Sequence, residues 1–347
     1  MPKPRRDKGS LRGRSILITG GAGMIGSAIA RQAVAAGAKV SILDNLAPQY
    51  GGNLFNLEGI RDRIRFVYGD IREMPLVAEI VRDQDVIFNL AAQVSYVDSN
   101  LDPFCDLDIN CRGHLTVLEA CRKHNPKARL VFSSSRFVYG DIEYNPVDEN
   151  HPYNCLSMYG VHKLNGEKYY HFFQRAYGLE AVIFRIANPY GPCQQMRHSK
   201  YGILNWFVRQ ALEGKPLTVY GDGKQKRDYI YVEDLARAML MGAAARDIEF
   251  GIFNLGTGHG VAFREMAEMV ARTVRGTTVE TVEWPKDRYF VETGDYITDI
   301  RKVKDALGWE PQVRIEEGIR RTVEYYRRHA RRYGFLPRDP KEALRHG

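Results

Sequence analysis

The stretch ILITGGAGMIGSAIA, residues 16–30, restricts the fold more than any other part of the chain. An apolar run rich in β-branched residues ends in glycines at 20, 23 and 26, and an apolar helical pattern starts among them. Glycines at such a turn let the backbone approach a pyrophosphate, and the free N–H groups at the helix start receive its charge. Asp44 closes the next β-type run, 18 residues after Gly26. There a carboxylate accepts both ribose hydroxyls of NAD and repels the 2′-phosphate of NADP, so the expected cofactor is NAD.

Later runs repeat the pattern. SILIT, KVSILD, IRFVYGD, DVIFNLA, ARLVFSS and EAVIFRIA read as strands, with amphipathic segments around 24–36, 73–82, 105–124 and 156–177 read as helices between them. Continuous apolar strands alternating with helices require a parallel sheet covered on both faces, so the fold class is α/β, a Rossmann-type doubly wound sheet. Beyond Asn188 the alternation loosens into what reads as a smaller, interleaved C-terminal lobe. The 347 residues, 44% of them hydrophobic, suffice for a core of that size.

Charge is unevenly placed. The chain carries a formal +8, but residues 1–14 hold six Lys/Arg against one Asp, and residues 320–347 hold nine against three acids. The remaining body is mildly acidic, so the ends are expected to be solvated rather than to bind nucleic acid or a membrane. Five cysteines without a CxxC pair suggest neither a disulfide framework nor a zinc site. His198 and His259 lack metal-ligand spacing, and no metal is expected. The N-terminus lacks a signal-type apolar segment, and the chain is expected to be cytoplasmic with reduced thiols.

Two further stretches carry chemistry. In YGVHK, Tyr159 and Lys163 stand four apart on a helix and share a face. A tyrosine with pKa near ~10 needs roughly 4 kcal/mol of differential stabilisation to ionise at neutrality, and a nearby ammonium supplies part of it. In SSSRFVYG, residues 133–140, a hydroxyl ends a strand 24 residues before that tyrosine.

Together TGGAGMIGS, Asp44, GDI, NLAA, SSS…VYG, YGVHK, RIANPYGP, QKRDYIYVEDLA and LGWEP resemble the extended short-chain dehydrogenase/reductase family, in particular its nucleotide-sugar epimerases and dehydratases such as the UDP-glucose 4-epimerases. The resemblance spans roughly residues 14–326. It implies that Gly20, Gly23, Met24, Ile25 and Gly26 surround the NAD pyrophosphate. Asp44 and Asn45 then lie at the ribose edge, Asp70 and Ile71 flank the adenine, and Ala91 and Ala92 line the nicotinamide ribose side. Ser135, Tyr159 and Lys163 become the catalytic hydroxyl, proton acceptor and activator, the last two also touching cofactor. Asn188, Arg227 and Arg288 become candidates for the substrate diphosphate. Asn110 falls either near the active site or in a structural role.

The resemblance also implies the organisation: a basic tail at 1–13, an NAD-binding domain over 14–187 with late elements from 228–257, a substrate-binding lobe from 188–227 and 258–330, and a basic tail at 331–347. Two long helices, 105–124 and 156–177, would pair with a second copy in a homodimer. Met158 and His162 depart from the Pro and Ser common at those positions, and His162 reads as a helix-surface residue. In the family's 4,6-dehydratases Asp and Glu follow the catalytic hydroxyl; here Arg136 and Phe137 do, and neither can eliminate water. Arg136 either faces solvent or a neighbouring acid such as Asp141 or Glu143, or pairs with an anionic group of the substrate such as a C6 carboxylate, which would make the substrate a uronic-acid sugar.

The expected activity is therefore NAD-dependent epimerisation of a nucleotide-diphosphate sugar at C4. A dehydratase, decarboxylase or ketoreductase of such sugars, and more remotely a non-catalytic dinucleotide sensor, remain as alternatives.

Overall fold

The computed structural model describes residues 9–284 and 292–337. The outer parts of both basic tails, and Arg288, lie outside the described residues.

The first half of the chain carries strands β1 (Ser15–Thr19), β2 (Lys39–Asp44), β3 (Ile64–Tyr68), β4 (Val86–Asn89), β5 (Arg129–Ser135) and β6 (Ala181–Ile186). Between them run helices α1 (Met24–Ala35), α2 (Met74–Ile80), α3 (Tyr96–Leu101), α4 (Pro103–Leu107), α5 (His114–His124) and α6 (Met158–Tyr177). The second half continues with β7 (Asn188–Tyr190), α7 (Ile203–Leu212), β8 (Leu217–Tyr220), β9 (Lys226–Tyr231), α8 (Val232–Ala244) and β10 (Phe250–Leu255). It ends with β11 (Gly260–Ala262), α9 (Phe263–Thr273), β12 (Val279–Val282), α10 (Arg301–Leu307) and α11 (Ile315–His329).

Seven strands form one parallel sheet in the order β10-β6-β5-β4-β1-β2-β3. Every residue of β5 and β6 is buried, as a sheet covered on both faces demands. Strand order reverses between β1 and β4, so their carboxyl ends part to leave a crevice where ligands of such sheets bind. Thr19 and Asn89 close the floor of that crevice: the Thr19 hydroxyl donates to Asn89 Oδ1 at 2.9 Å and accepts the amides of Leu90 and Ala91.

The helix expected over 105–124 runs from Pro103 to His124 and carries a π-helical stretch within it. This π turn, Asp108–Gly113, joins α4 to α5. Asn110 on this turn donates to Gln93 O at 2.9 Å and to Asp106 Oδ2 at 3.0 Å. Gly113 sits where a Cβ would come within 2.6 Å of Ile71. Asp106, in α4 just before this turn, lies against α6.

A second core gathers α7, β8, α9 and α11 around Val208, Val219, Met266, Ile319 and Tyr326, beside small sheets β11-β9-β7 and β12-β8. The WEP segment fastens it to α8: Trp309 Nε1 donates to Asp234 O at 3.1 Å, and Asp234 Oδ2 accepts the amides of Gln312 and Val313. The chain stays packed through Phe335, with the Tyr333 hydroxyl donating to Asn56 Oδ1 at 2.6 Å.

One buried ion pair joins α6 to the sheet. Glu167 accepts Arg185 Nε at 2.9 Å and Nη2 at 2.7 Å, and the Ser134 hydroxyl donates to it at 2.5 Å. Arg185 also donates to the Tyr139 and Tyr153 hydroxyls. Both charged side chains are almost fully buried. Removing one partner strands the other in a medium that solvates charge poorly, so Glu167→Gln should lower unfolding free energy by about 3 kcal/mol or more in denaturant titration. A loss below about 1 kcal/mol, the value of an exposed pair, would show that water reaches the site.

Candidate active site

At the start of α1, Gly20 has φ +69°, and a Cβ there would lie 2.9 Å from the Ala91 backbone. A Cβ on Gly26 would lie 2.4 Å from Gly20 O. These contacts fold the turn tightly over the crevice. Gly23 caps α1 without a side-chain bond and no acid stands in its first turn, so the first-turn amides of Met24, Ile25 and Gly26, which have no intrahelical acceptor, face a positive dipole end free of competing anions.

Asp44, at the end of β2, is buried. Its Oδ2 accepts the Ala22 amide at 2.9 Å and its Oδ1 the Leu46 amide at 2.8 Å. Burial pushes its pKa up and the two amides pull it back. Nearby, Arg72 grips Asp70 through Nε, Nη2 and its own amide and holds the carboxyl at about 2, and the Asn45 amide adds a further bond to it. Gly20, Gly23, Met24, Ile25, Gly26, Asp44, Asn45, Asp70, Ile71, Ala91 and Ala92 all line one cleft of about 370 Å³. A glycine cradle at a helix start, beside an anchored carboxylate, fits the diphosphate and ribose of a dinucleotide.

The same cleft continues to Ser135, Tyr159 and Lys163. Ser135 ends β5 and its Oγ accepts the Phe137 amide at 3.3 Å. Tyr159 opens α6, whose start is tied down from α3. Ser99 Oγ accepts the Tyr159 amide, Asn100 Oδ1 the Met158 amide, each at 3.0 Å, and Ser157 caps the helix. Met158 therefore brings an N–H that a proline would lack, and Asn100 takes it. Burial drives the Tyr159 pKa up, and its hydrogen bond with Ser135 opposes the rise. One turn on, Lys163 Nζ donates to Ser133 O at 3.0 Å and lies 5.8 Å from the Tyr159 ring centre. Its burial lowers the pKa to about 8, against the pull of Asp106.

His162 is not on the surface. It is 3% exposed, and its Nδ1 lies 2.6 Å from Asp106 Oδ1. Asp106 stands just before the π turn, which is invisible in the periodicity. Asn110 belongs to the same buried cluster.

Arg136 does not face solvent either. It is 6% exposed and lines the cleft, its Nε 3.3 Å from Asn188 Oδ1 and its Nη1 3.0 Å from Thr293 Oγ1. Phe137, also on the wall, stacks on Tyr96 at 4.9 Å and meets the Tyr159 ring edge-on at 5.9 Å. Asn188 lines the cleft and donates to Asp228 O at 2.9 Å. Arg227 lines it too, but is paired with Glu292 and donates to the carbonyls of Lys226 and Gly294. Ser99, Asn100, Tyr96, Thr293 and Glu292 were not legible as site residues.

With this geometry in view, comparison with known proteins defines the class. The model of the NAD dependent epimerase/dehydratase family matches residues 16–256. A putative UDP-glucose 4-epimerase of Methanocaldococcus jannaschii is 36% identical over 317 residues, covering 91% of this chain and 99% of the relative. Among solved structures, the UDP-glucose 4-epimerase of Thermotoga maritima with UDP-glucose superposes with a TM-score of 0.81 at 32% identity, covering 91% of this chain and 99% of that one. The dTDP-glucose 4,6-dehydratase of Streptomyces venezuelae with NAD bound does so with a TM-score of 0.84 at 30% identity, covering 92% and 99%.

The chain thus belongs to the NAD-dependent epimerase/dehydratase family, within the extended short-chain dehydrogenases/reductases, and its cofactor is NAD. It is a sugar-nucleotide epimerase/dehydratase.

The anchoring of Asp44 sets a prediction. Asp44→Ala removes the carboxylate expected to accept the ribose and leaves the Ala22 and Leu46 amides without their acceptor. It should narrow the preference for NAD over NADP in calorimetry and also lower the melting temperature, since two buried donors lose their acceptor. Equal affinity of the unaltered protein for both cofactors would refute the assignment.

Proposed function

We propose that the protein epimerises a nucleotide-diphosphate sugar at C4 through a transient 4-keto sugar. One observation carries this reading: Ser135, Tyr159 and Lys163 share a cleft with the glycine cradle and Asp44, while the two residues after Ser135 are a cation and a phenyl ring.

NAD⁺, when bound, supplies the hydride acceptor and donor for C4. Tyr159 Oη, as phenolate, takes the C4 hydroxyl proton and later returns it. Since burial favours its neutral form, the Lys163 charge and the Ser135 hydrogen bond must favour the ionised one. The Ser135 hydroxyl, held by the Phe137 amide, can turn its own proton to the forming carbonyl oxygen. Asn188 and Arg227 are the candidates for the diphosphate. Loss of water across C5 and C6 requires a carboxyl acid and a base, and neither the Arg136 guanidinium nor the Phe137 ring can fill those roles. Expected surroundings are the cytoplasm, in keeping with five cysteines that are all unpaired thiols.

A homodimer is part of the proposal. Leu101, Phe104, Leu115, Val161 and Phe172, on α3 to α6, are exposed apolar side chains, and Val161 and Phe172 fall on one stripe of α6 about three turns apart. A second copy presenting the same helices would cover them. Sedimentation equilibrium at micromolar concentration should give twice the chain mass; a monomer would count against it.

Tyr159→Phe should keep NAD binding and thermal stability near those of the unaltered protein while lowering kcat by roughly 10²- to 10⁴-fold. Mass spectrometry of the product should return the substrate mass. A product lighter by water, lighter by carbon dioxide, or heavier by two hydrogens would replace the epimerase reading with a dehydratase, decarboxylase or reductase respectively.

A further inference from the structure

The cations on the cleft wall are not equivalent. Arg227 has Glu292 as its counter-ion and Lys163 rests on a carbonyl. Among the described residues the contacts of Arg136 are neutral: Asn188 Oδ1, Thr293 Oγ1, and the rings of Phe137 and Tyr296, at 4.6 and 5.2 Å from its guanidinium carbon. Among the described residues no carboxylate lies within ion-pair distance of it, and its Nη2 makes no hydrogen bond. Burial, reinforced by the Arg227 charge, lowers its pKa to about 10, so it remains a cation at neutral pH. Glu292, already paired with Arg227, opposes that lowering only through its charge at longer range; a buried cation with no carboxylate in contact among the described residues is costly, and an anion entering the cleft would offset that cost. The guanidinium fork, with Nη2 free, suits a carboxylate held by two parallel bonds.

Position decides where on the ligand the anion sits. Arg136 follows Ser135 directly, and the ring over which it stacks meets the Tyr159 ring edge-on. The cation thus stands one ring away from the reacting phenol. If O4 of the sugar meets Ser135 and Tyr159, the neighbouring substituents are the C3 hydroxyl and C6 on C5, and of the two only C6 can be a carboxylate.

We propose that Arg136 reads a carboxylate on C5, so that the substrate is a nucleotide-diphosphate hexuronate. This rests on the epimerase reading above. It carries a chemical consequence, because a 4-keto uronate is a β-keto acid. Its loss of carbon dioxide breaks the C5–C6 bond and moves that electron pair, with its negative charge, onto the C4 oxygen. A cation paired with the carboxylate stabilises the charge where it starts and opposes that transfer, so the carboxylate stays on the product.

The test uses the full-length, NAD-loaded protein. Binding of free UDP, dTDP, CDP and GDP first selects the nucleotide, and the glucuronate and glucose derivatives of that nucleotide are then compared by calorimetry and by kcat/KM. The uronate should be favoured by roughly 30-fold or more, and Arg136→Gln should cost the uronate roughly 30-fold more than the hexose, with Arg136→Lys intermediate. No preference in the unaltered protein overturns the inference, as does an equal loss by uronate, hexose and free nucleotide, which would make Arg136 a reader of the diphosphate. If Arg136→Gln does not fold, the uronate-to-hexose comparison in the unaltered protein decides alone. Turnover of the hexose without uronate preference removes only this inference, whereas binding of no nucleotide sugar removes the epimerase reading with it.

Discussion

The placement of α6 on the sheet is the constraint on which the site depends. α6 carries Tyr159 and Lys163, while β5 carries Ser135 and leads into Arg136 and Phe137, so a slip of the helix would separate groups that share one cleft wall. Glu167, two turns along α6, is locked to Arg185 of β6 and to Ser134 of β5. At the other end, Ser99 and Asn100 hold the first amides of the helix. Polar bonds of this kind are directional, and unlike apolar packing they fix the rotation of the helix as well as its distance. The middle serine of the SSS run thus serves the scaffold, and its neighbour Ser135 serves the site.

Around that scaffold the electrostatics are biased. Lys163 is held at about 8 and Arg136 at about 10, both depressed first of all by burial. Each would be more stable in water, and each becomes less costly when negative charge develops or arrives beside it: phenolate or alkoxide for Lys163, a substrate anion for Arg136. The His162–Asp106 pair lies behind Lys163, and the Asp106 charge is the foremost influence opposing the loss of the lysine proton. Phe137, stacked on Tyr96, keeps the wall between Arg136 and Tyr159 apolar, which strengthens both interactions by excluding solvent.

The features legible in the sequence are those that depend on local spacing. The glycine turn, Asp44 at a strand end, and Tyr159 and Lys163 one helical turn apart are short-range patterns, and the strands of the large sheet come from continuous apolar runs. The misread residues depend on contacts distant along the chain. His162 meets Asp106 across 56 residues, and Arg136 meets Thr293 across 157. No periodicity encodes such pairs. The π turn at Asp108–Gly113 escaped for a different reason: one extra residue in a helix leaves the apolar pattern nearly unchanged while displacing the side chains beyond it.

Likeness at the scale of the fold is shared between reactions. Superposition on an epimerase and on a dehydratase gives nearly the same score at nearly the same identity. Both reactions need oxidation at C4, so both need the glycine cradle, the strand-end hydroxyl and the tyrosine–lysine pair, and selection for those parts preserves the whole frame. The reactions diverge at the next carbon, which in the proposed reading faces the two residues after Ser135. An acid and a base there would make the keto intermediate lose water. A buried guanidinium and a phenyl ring at those two positions can neither take the C5 proton nor protonate a leaving oxygen. In the proposed reading the intermediate takes back its proton and is reduced at C4, from either face of a planar carbonyl, which is epimerisation.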